Sequence, residues 1–473
     1  MFHWNGKIRS IVKQYSKLQK KATPMKRAPI IGLFVVVAVL ALGAYLTAGD
    51  KALLAELDSV GAAPTLPLPR VTTVPTVNIA PAKPWTGDAM PIAAKGLAVK
   101  AFATGLDHPR WLYALPNGDI LVAETNAPPR PEDADGIKGW VMGLVMSHAG
   151  AGAPSANRIT LLHDGDGDGV AEKRSVLLSG LNSPFGMALV GADFYVANTD
   201  AVLRFPYAEG EEAISVSGMK VADLPAGSIN HHWTKGLIAA PDGKHLYASI
   251  GSNSNITENG IENEKARASI LEIDVATGAS HIFASGLRNP VGMAWHAQTQ
   301  ALWAVVNERD ELGSDLVPDY LTSIKDGAFY GWPYSYYGQH MDTRVSPQNP
   351  EMVAKAIPPD YALGNHVAPL GLAFAQGAGL PETFRDGAFV AEHGSWNRNP
   401  RSGYKVVFVP FKSGQPAGNP VDVLTGFLDP DGNAQGRPAG LAIAKDGALL
   451  VADDVGNTIW RVSAASGKSA LAQ

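Results

Sequence analysis

Between residues 106 and 454 one pattern is written six times: a turn containing a small residue, His or Pro, a short apolar run, a turn of the Pro-Asp-Gly kind, and a second apolar run. The copies read "LDHPRWLYALPNGDILVAET", "LNSPFGMALVGADFYVANT", "NHHWTKGLIAAPDGKHLYASIGS", "LRNPVGMAWHAQTQALWAVVNE", "HVAPLGLAFAQG…FRDGAFVAEHGS" and "GRPAGLAIAKDGALLVADD". Their first apolar runs open at Leu112, Gly186, Gly236, Gly292, Gly371 and Gly440. Each copy predicts two strands joined through residues that tolerate positive φ. Further strand-like runs follow, such as "NRITLLHD", "ILEIDVATG", "YKVVFVPF" and "TIWRVS". Four short strands per unit, repeated radially, make a β-propeller, whereas a sandwich has no use for six copies of one hairpin. The expectation is an all-β, six-bladed propeller over residues 96–465, with "LAVKAFATG" completing the last blade. Only "DLVPDYLTSI" suggests a turn or two of helix.

In a propeller the segment entering each innermost strand lies near the central axis. His108-Pro109-Arg110, His232, Arg288-Asn289, His366 and Arg437 hold that place in five of the six copies. On a lone hairpin such residues are solvated loop positions. Brought together around an axis, they predict a cation-lined pocket suited to an anionic ligand.

The charge is unevenly distributed along the 473 residues. Eight of the 39 Lys/Arg lie in residues 1–28, which hold no carboxylate, so the remainder is strongly acidic against 44 Asp/Glu. An acidic body argues against nucleic acid as a partner. Residues 29–48, "PIIGLFVVVAVLALGAYLTA", carry no charge, and twenty residues at helical rise span about 30 Å, the hydrocarbon thickness of a bilayer. A cleaved signal is the alternative, but the apolar run and its basic lead are long for one, and Leu46 suits the small-residue cleavage rule poorly. The pattern predicts a single-pass anchor in a bacterial inner membrane, with residues 1–28 cytoplasmic and the rest periplasmic. Cysteine is absent, which suits an oxidising compartment. Residues 49–95, rich in Pro and Ala, read as an extended tether, and residues 466–473 as a tail.

Five stretches in order, "HHWTKGLIAAPDGKHLYASIGSNSN", "GLRNPVGMAW", "NERDELGSDLVPDYLTSIKDGAFYGWP", "AEHGSWNRNPRSGYKVVFVPF" and "GRPAGLAIAKDGALLVADD", give the chain its resemblance. Over about residues 98–463 it resembles the soluble quinoprotein sugar dehydrogenases, and among them the sorbosone dehydrogenase branch. The resemblance implies a six-bladed propeller holding pyrroloquinoline quinone (PQQ) and calcium in its axial funnel. It implies that His232 is the base taking the substrate O–H proton as hydride goes to the quinone, a role that suits imidazole at neutral pH. His231 stands where relatives carry a carboxylate, which leaves the group that orients the imidazole open. Arg288 and Asn289 match positions that contact the quinone from the substrate side. Arg437 matches one of two arginines that hold cofactor carboxylates, the second being replaced by Ala439. Arg398 is the candidate for the missing charge, Trp396 for a ring stacked on the quinone, and Tyr361 and His366 for lining positions, with Gly364 in place of an aromatic residue. Calcium matches the stretch of Glu308, Arg309 and Asp310, where it would act as a Lewis acid.

"DGDGDGVAE" places Asp164, Asp166 and Asp168 in an alternation like the start of an EF-hand loop, without the Glu at position 12 or flanking helices. It reads equally as a structural calcium site and as an acidic hairpin tip. The implied function is a PQQ-dependent dehydrogenase of a sugar-derived aldehyde such as sorbosone, or of an aldose, feeding a respiratory acceptor, quinone or cytochrome. Two other functions fit a propeller. A calcium-dependent sugar-lactone hydrolase needs several carboxylates or amides on an axial ion, whereas the repeat starts here offer mostly His and Arg. A non-enzymatic binding propeller needs only polar axial residues. Substrate choice is expected to reside in loops such as "YSYYGQHMDTRVSPQNP".

Overall fold

The computed structural model describes residues 49–129, 143, 147–375 and 379–465. The basic lead, the apolar run 29–48 and the tail 466–473 lie outside the described residues. Of the described residues, 50–71 and those from 75 onward make one compact unit, to which residues 49 and 72–74 do not belong. Among the described residues no helix is long and apolar enough to cross a membrane.

The larger unit is a six-bladed propeller of antiparallel sheets. Blade 1 runs Pro109–Ala114, Ile120–Glu124, Arg158–His163 and Lys173–Leu178 from axis to rim. Blade 2 runs Met187–Val190, Asp193–Ala197, Ala201–Pro206 and Met219–Asp223. Blade 3 has Lys235–Ala239, His245–Ile250, Ser269–Asp274 and Ser280–Ser285. Blade 4 has Asn289–Trp295, Leu302–Asn307, Pro318–Ile324 and Tyr361–Asn365. Blade 5 has Pro369–Phe374, Gly387–Glu392, Lys405–Lys412 and Val421–Thr425. Blade 6 has Pro438–Ile443, Leu449–Asp453 and Thr458–Ala464, and its outer strand is Leu97–Thr104, so the ring closes with the segment expected from sequence. One expectation is corrected. "DLVPDYLTSI" is no helix: Pro318–Ile324 is the third strand of blade 4, buried on nearly every residue between Leu302–Asn307 and Tyr361–Asn365.

Adjacent blades share apolar layers, for instance Trp111, Leu121 and Ile159 against Phe185 and Phe194, or Trp303 and Leu321 against Leu372 and Val390. At the axis the repeat glycines explain themselves. A Cβ on Gly186 would collide with Leu237, on Gly236 with Val291, on Gly292 with Leu370, on Gly371 with Ala439, and on Gly440 with Arg110 and Trp111. Each inner strand can thus approach the next blade's backbone closely, which a side chain would prevent.

The stretch read as a tether is extended but packs on the propeller. Val60–Gly61 adds a fifth strand to blade 4 beyond Tyr361–Asn365, and Ile92–Ala93 adds one to blade 5 beyond Val421–Thr425. Ala80 is fully buried. Asp50 accepts from the Ser314 N–H, and Arg70 pairs with Asp315 at 2.6 Å.

Candidate active site

The turns entering each inner strand and those leaving each second strand lie on one face of the ring, and there the predicted polar residues gather. His232 precedes the inner strand of blade 3. Its Nδ1 lies 2.7 Å from the Ser252 carbonyl, which sets the proton on Nδ1 and leaves Nε2 as the basic nitrogen. The Ser252 main-chain carbonyl therefore orients the imidazole. The Ser252 N–H donates to the Arg288 carbonyl, so one peptide links the histidine to blade 4. His232 is half-buried, and burial, followed by the nearby Arg288 guanidinium, holds its pKa well below 6.5. Behind it the fully buried Lys235 ammonium donates to the His232 carbonyl at 3.2 Å.

Gly251 makes the juxtaposition possible, because a Cβ there would strike both Asn289 Oδ1 and the His232 side chain. Gly251→Ala is expected to lower the urea midpoint by the equivalent of roughly 1–3 kcal/mol, as overpacking does, and to depress turnover in parallel. Wild-type turnover in that variant would show that His232 and Asn289 need not share this wall.

Arg288 and Asn289 are both buried. Arg288 Nη2 pairs with Asp310 Oδ2 at 2.8 Å and donates to Asn255 Oδ1 at 3.2 Å. The other Asp310 oxygen accepts from Asn397 Nδ2 at 2.7 Å, and His366 Nδ1 stands 4.0 Å from it. Blades 3, 4 and 5 thus converge on one carboxylate. Burial lowers the His366 pKa despite the opposing pull of Asp310.

A second polar group spans blades 1, 5 and 6. Asp454 is the shared carboxylate, paired with Arg110, 2.8 Å from His393 Nε2 and 3.8 Å from His108 Nε2. Burial pushes the Asp454 carboxyl up, but His393, Arg110 and His108 together hold it well below the usual carboxylate range. Burial brings His393 down to about 4 against the pull of Asp454. Arg437 completes the group electrostatically, since its charge acts on His393. Arg437 is 5 % exposed, its guanidinium lies 5.2 Å over the Tyr404 ring, and among the described residues its side chain makes one hydrogen bond, to the Ala80 carbonyl.

Other predicted residues stand elsewhere. Tyr361 lies on the outer strand of blade 4, packed with Trp303 and Val390 and bonded through its hydroxyl to the Gly418 carbonyl, so it is a core residue and does not line the funnel. Arg398 is turned to the Ser314 and Pro400 carbonyls and toward Asp315, which leaves Arg110 and His393 as the cationic groups beside Arg437. Trp396 is half-buried, and its carbonyl accepts from the Asn78 N–H. Of the calcium stretch, Asp310 joins the cluster of Arg288, Asn397 and His366. Glu308 Oε2 and Asp342 pair with Arg309, whose guanidinium also donates to the Pro333 and Ser335 carbonyls and so fastens the long insertion before Tyr361. Arg344 of that insertion reaches the Asp310 carbonyl at 3.0 Å, which brings the expected selectivity loop to the edge of the site. Asp164, Asp166 and Asp168, joined by Glu172, form an exposed carboxylate cluster at the hairpin tip between Arg158–His163 and Lys173–Leu178, on the face opposite the funnel.

Asp454, His393, Asn397 and Ser252, which the sequence pattern did not single out, follow second strands, outside the repeat starts. "VADDVG" and "AEHGSWNR", with charged residues directly after apolar runs, carried the signal.

Arg437 Nε, Arg110 Nε, Arg288 Nε, His108 Nε2 and Asn289 Oδ1 are buried without a hydrogen-bond partner among the described residues. Leaving such groups unpaired costs about 1–3 kcal/mol each. Their convergence on one face defines a propeller with an axial site for a ligand rich in anionic and polar oxygens. The matching family models agree: residues 193–393 match glucose/sorbosone dehydrogenase, and residues 337–465 match a TrAA12-like family. The chain belongs to the glucose/sorbosone dehydrogenase family, a family of oxidoreductases.

An uncharacterised protein of Borreliella burgdorferi is 31 % identical over 298 residues, covering 60 % of this chain and 76 % of that protein. A pyrroloquinoline quinone-dependent pyranose dehydrogenase of Coprinopsis cinerea is 26 % identical over 297 residues, half of this chain but only 40 % of that enzyme. Among solved structures, the holo PQQ domain of the Coprinopsis cinerea pyranose dehydrogenase superposes with a TM-score of 0.64 at 19 % identity, over 82 % of this chain and all of that one. A calcium structure of the Trichoderma reesei family AA12 enzyme gives 0.64 at 19 %, over 82 % and 99 %. These structural likenesses concern the fold.

Proposed function

We propose that this protein is a membrane-anchored, periplasmic PQQ-dependent dehydrogenase of an aldose or a sugar-derived aldehyde such as sorbosone, passing electrons to a respiratory quinone or cytochrome. The observation that carries this reading is the convergence of His232, Arg288 and Asn289 around Gly251 and Ser252, on the same face as Arg437, whose Nε has no partner among the described residues. PQQ, when bound, supplies a two-electron acceptor for the substrate hydride. Its three carboxylates suit Arg437 and Arg110, and its carbonyl oxygens suit the Arg288 guanidinium. Asn289, on the same wall as His232, contributes a buried amide for orientation. His232 Nε2, basic because Nδ1–H is given to Ser252, takes the proton of the substrate hydroxyl or aldehyde hydrate. Arg288, held by Asp310 and Asn255, keeps a positive charge beside the reacting oxygens and disfavours protonation of His232 beforehand. Calcium, when bound, would have the Asp310 carboxylate as its hard oxygen donor and would supply Lewis-acid polarisation there.

Titrating the purified protein with PQQ and calcium, followed by the bound-quinone absorption band and a dye-linked screen over aldoses and sugar aldehydes, tests the reading. Failure to bind the quinone would overturn it, and hydrolysis of a sugar lactone would replace it. The anchor has its own test. Exchanging residues 1–48 for a cleavable signal is expected to yield a soluble protein with undiminished dye-linked activity; activity that requires the native segment would refute the separation of anchor and site.

A further inference from the structure

Asn78 to Trp85 lie upstream of the propeller and outside both family matches, yet they are fixed to the funnel face at every turn of the backbone. The Asn78 N–H donates to the Trp396 carbonyl, and its side-chain amide to the Arg398 carbonyl at 2.9 Å. The Arg401 guanidinium donates to the carbonyls of Asn78 at 2.9 Å and Ile79 at 2.6 Å. Beyond Ala80, the Pro81 carbonyl accepts from the Ala434 N–H, and the Lys83 N–H returns a bond to the Ala434 carbonyl. The Ala80 carbonyl between these clamps accepts from Arg437 Nη2 at 3.2 Å.

The same segment reaches Arg437 a second way. Trp85 packs edge-on to Phe427 and Trp460 and donates its Nε1–H to Asp453 Oδ2 at 2.7 Å. The other oxygen of this fully buried carboxylate accepts from the Arg437 N–H at 2.8 Å. One end of the segment thus holds the guanidinium and the other, through Asp453, the main chain. Among the described residues no carboxylate pairs with the Arg437 side chain, and its Nε has no partner, so its charge is aimed and unneutralised. A neutral carbonyl can orient a guanidinium without cancelling the charge that an anionic ligand needs.

We propose that residues 78–85 are a built-in wall of the ligand site, with Trp85 and Arg401 acting as positioning residues for Arg437; this rests on the reading in which Arg437 meets a carboxylate of the quinone. The test uses the full chain in its quinone-free form, titrated with PQQ by absorbance. Trp85→Phe keeps the ring and removes the donor, and Arg401→Ala releases the Asn78 and Ile79 carbonyls. Each is expected to weaken quinone affinity roughly tenfold, the scale of one lost hydrogen bond in a charged network, while turnover at saturating quinone is unchanged. In an Arg437→Ala background the same substitutions are expected to have no further effect, because residues acting through one another are not additive. Unchanged affinity in Trp85→Phe and Arg401→Ala alongside weakened binding in Arg437→Ala would overturn the proposal and leave the segment a mere cover. Losses that add fully to that of Arg437→Ala would overturn it too. Should Arg437→Ala itself bind the quinone normally, the reading of Arg437 fails and the wall's role fails with it.

Discussion

His232→Ala is expected to lower turnover by about 10²–10⁴-fold, the usual scale for a lost acid–base group, while quinone affinity and the thermal transition stay close to those of the parent. Burial and the Arg288 charge hold the histidine's pKa well below 6.5, so it is neutral and ready to accept a proton throughout the neutral range. The acid limb of kcat/KM should therefore lie well below pH 6.5, with a level profile above, and it should be missing from the residual activity of the variant. The same depression acts on stability. Below pH 6.5 the unfolded chain takes up the proton and the folded one does not, so this residue destabilises the fold progressively as the pH falls. His231→Ala should cost much less, because the Ser252 carbonyl fixes the imidazole. Wild-type turnover in His232→Ala would move the proton to another funnel group, and loss of the quinone would make His232 a binding residue.

Arg437→Ala is expected to weaken quinone affinity by about 10- to 100-fold, the equivalent of one charge-assisted contact of roughly 1.5–3 kcal/mol. Equilibrium titration of the quinone-free protein reads this directly. The loss should fall on affinity, with turnover at saturating quinone little changed, because Arg437 stands with Asp454 and Tyr404 and away from the His232 side of the funnel. Unchanged affinity would transfer the carboxylate contact to Arg110, since Arg398 is bonded to the Ser314 and Pro400 carbonyls.

The sequence displayed those parts of the molecule that obey a local rule. Pro-Asp-Gly turns between apolar runs predicted the blade hairpins, and the glycines at 186, 236, 292, 371 and 440 marked the inner strands because close approach at the axis excludes a side chain. His232, Arg288, Asn289 and Arg437 were legible because the repeat brings its own starts to one place. Features set by distant partners were not. Tyr361 sits in a stretch that looks like the site, but its strand is the fourth of the blade, far from the axis, and only the sheet order shows which way its ring packs. Pro318–Ile324 carries apolar residues at spacings compatible with helix, and burial on both faces decided for strand. Residues 78–85 have no period at all. Their order comes from hydrogen bonds to residues some 300 positions later, which composition cannot reveal.

The closure of blade 6 has a consequence for how the protein is made. Leu97–Thr104 is synthesised some 350 residues before its partner Thr458–Ala464. At roughly 5–20 residues per second, the early strand waits tens of seconds with its backbone groups unpaired. Through that interval the nascent ring is open, and an apolar strand edge is exposed to any other chain that can add to it. Such long-range pairing is slow to form because loop closure must precede any gain from contact. A ribosome that stops short of residue 458 therefore releases five blades and an incomplete sixth, a species with an unprotected edge, and the arrival of Thr458–Ala464 is the event that turns an aggregation-prone intermediate into a closed ring.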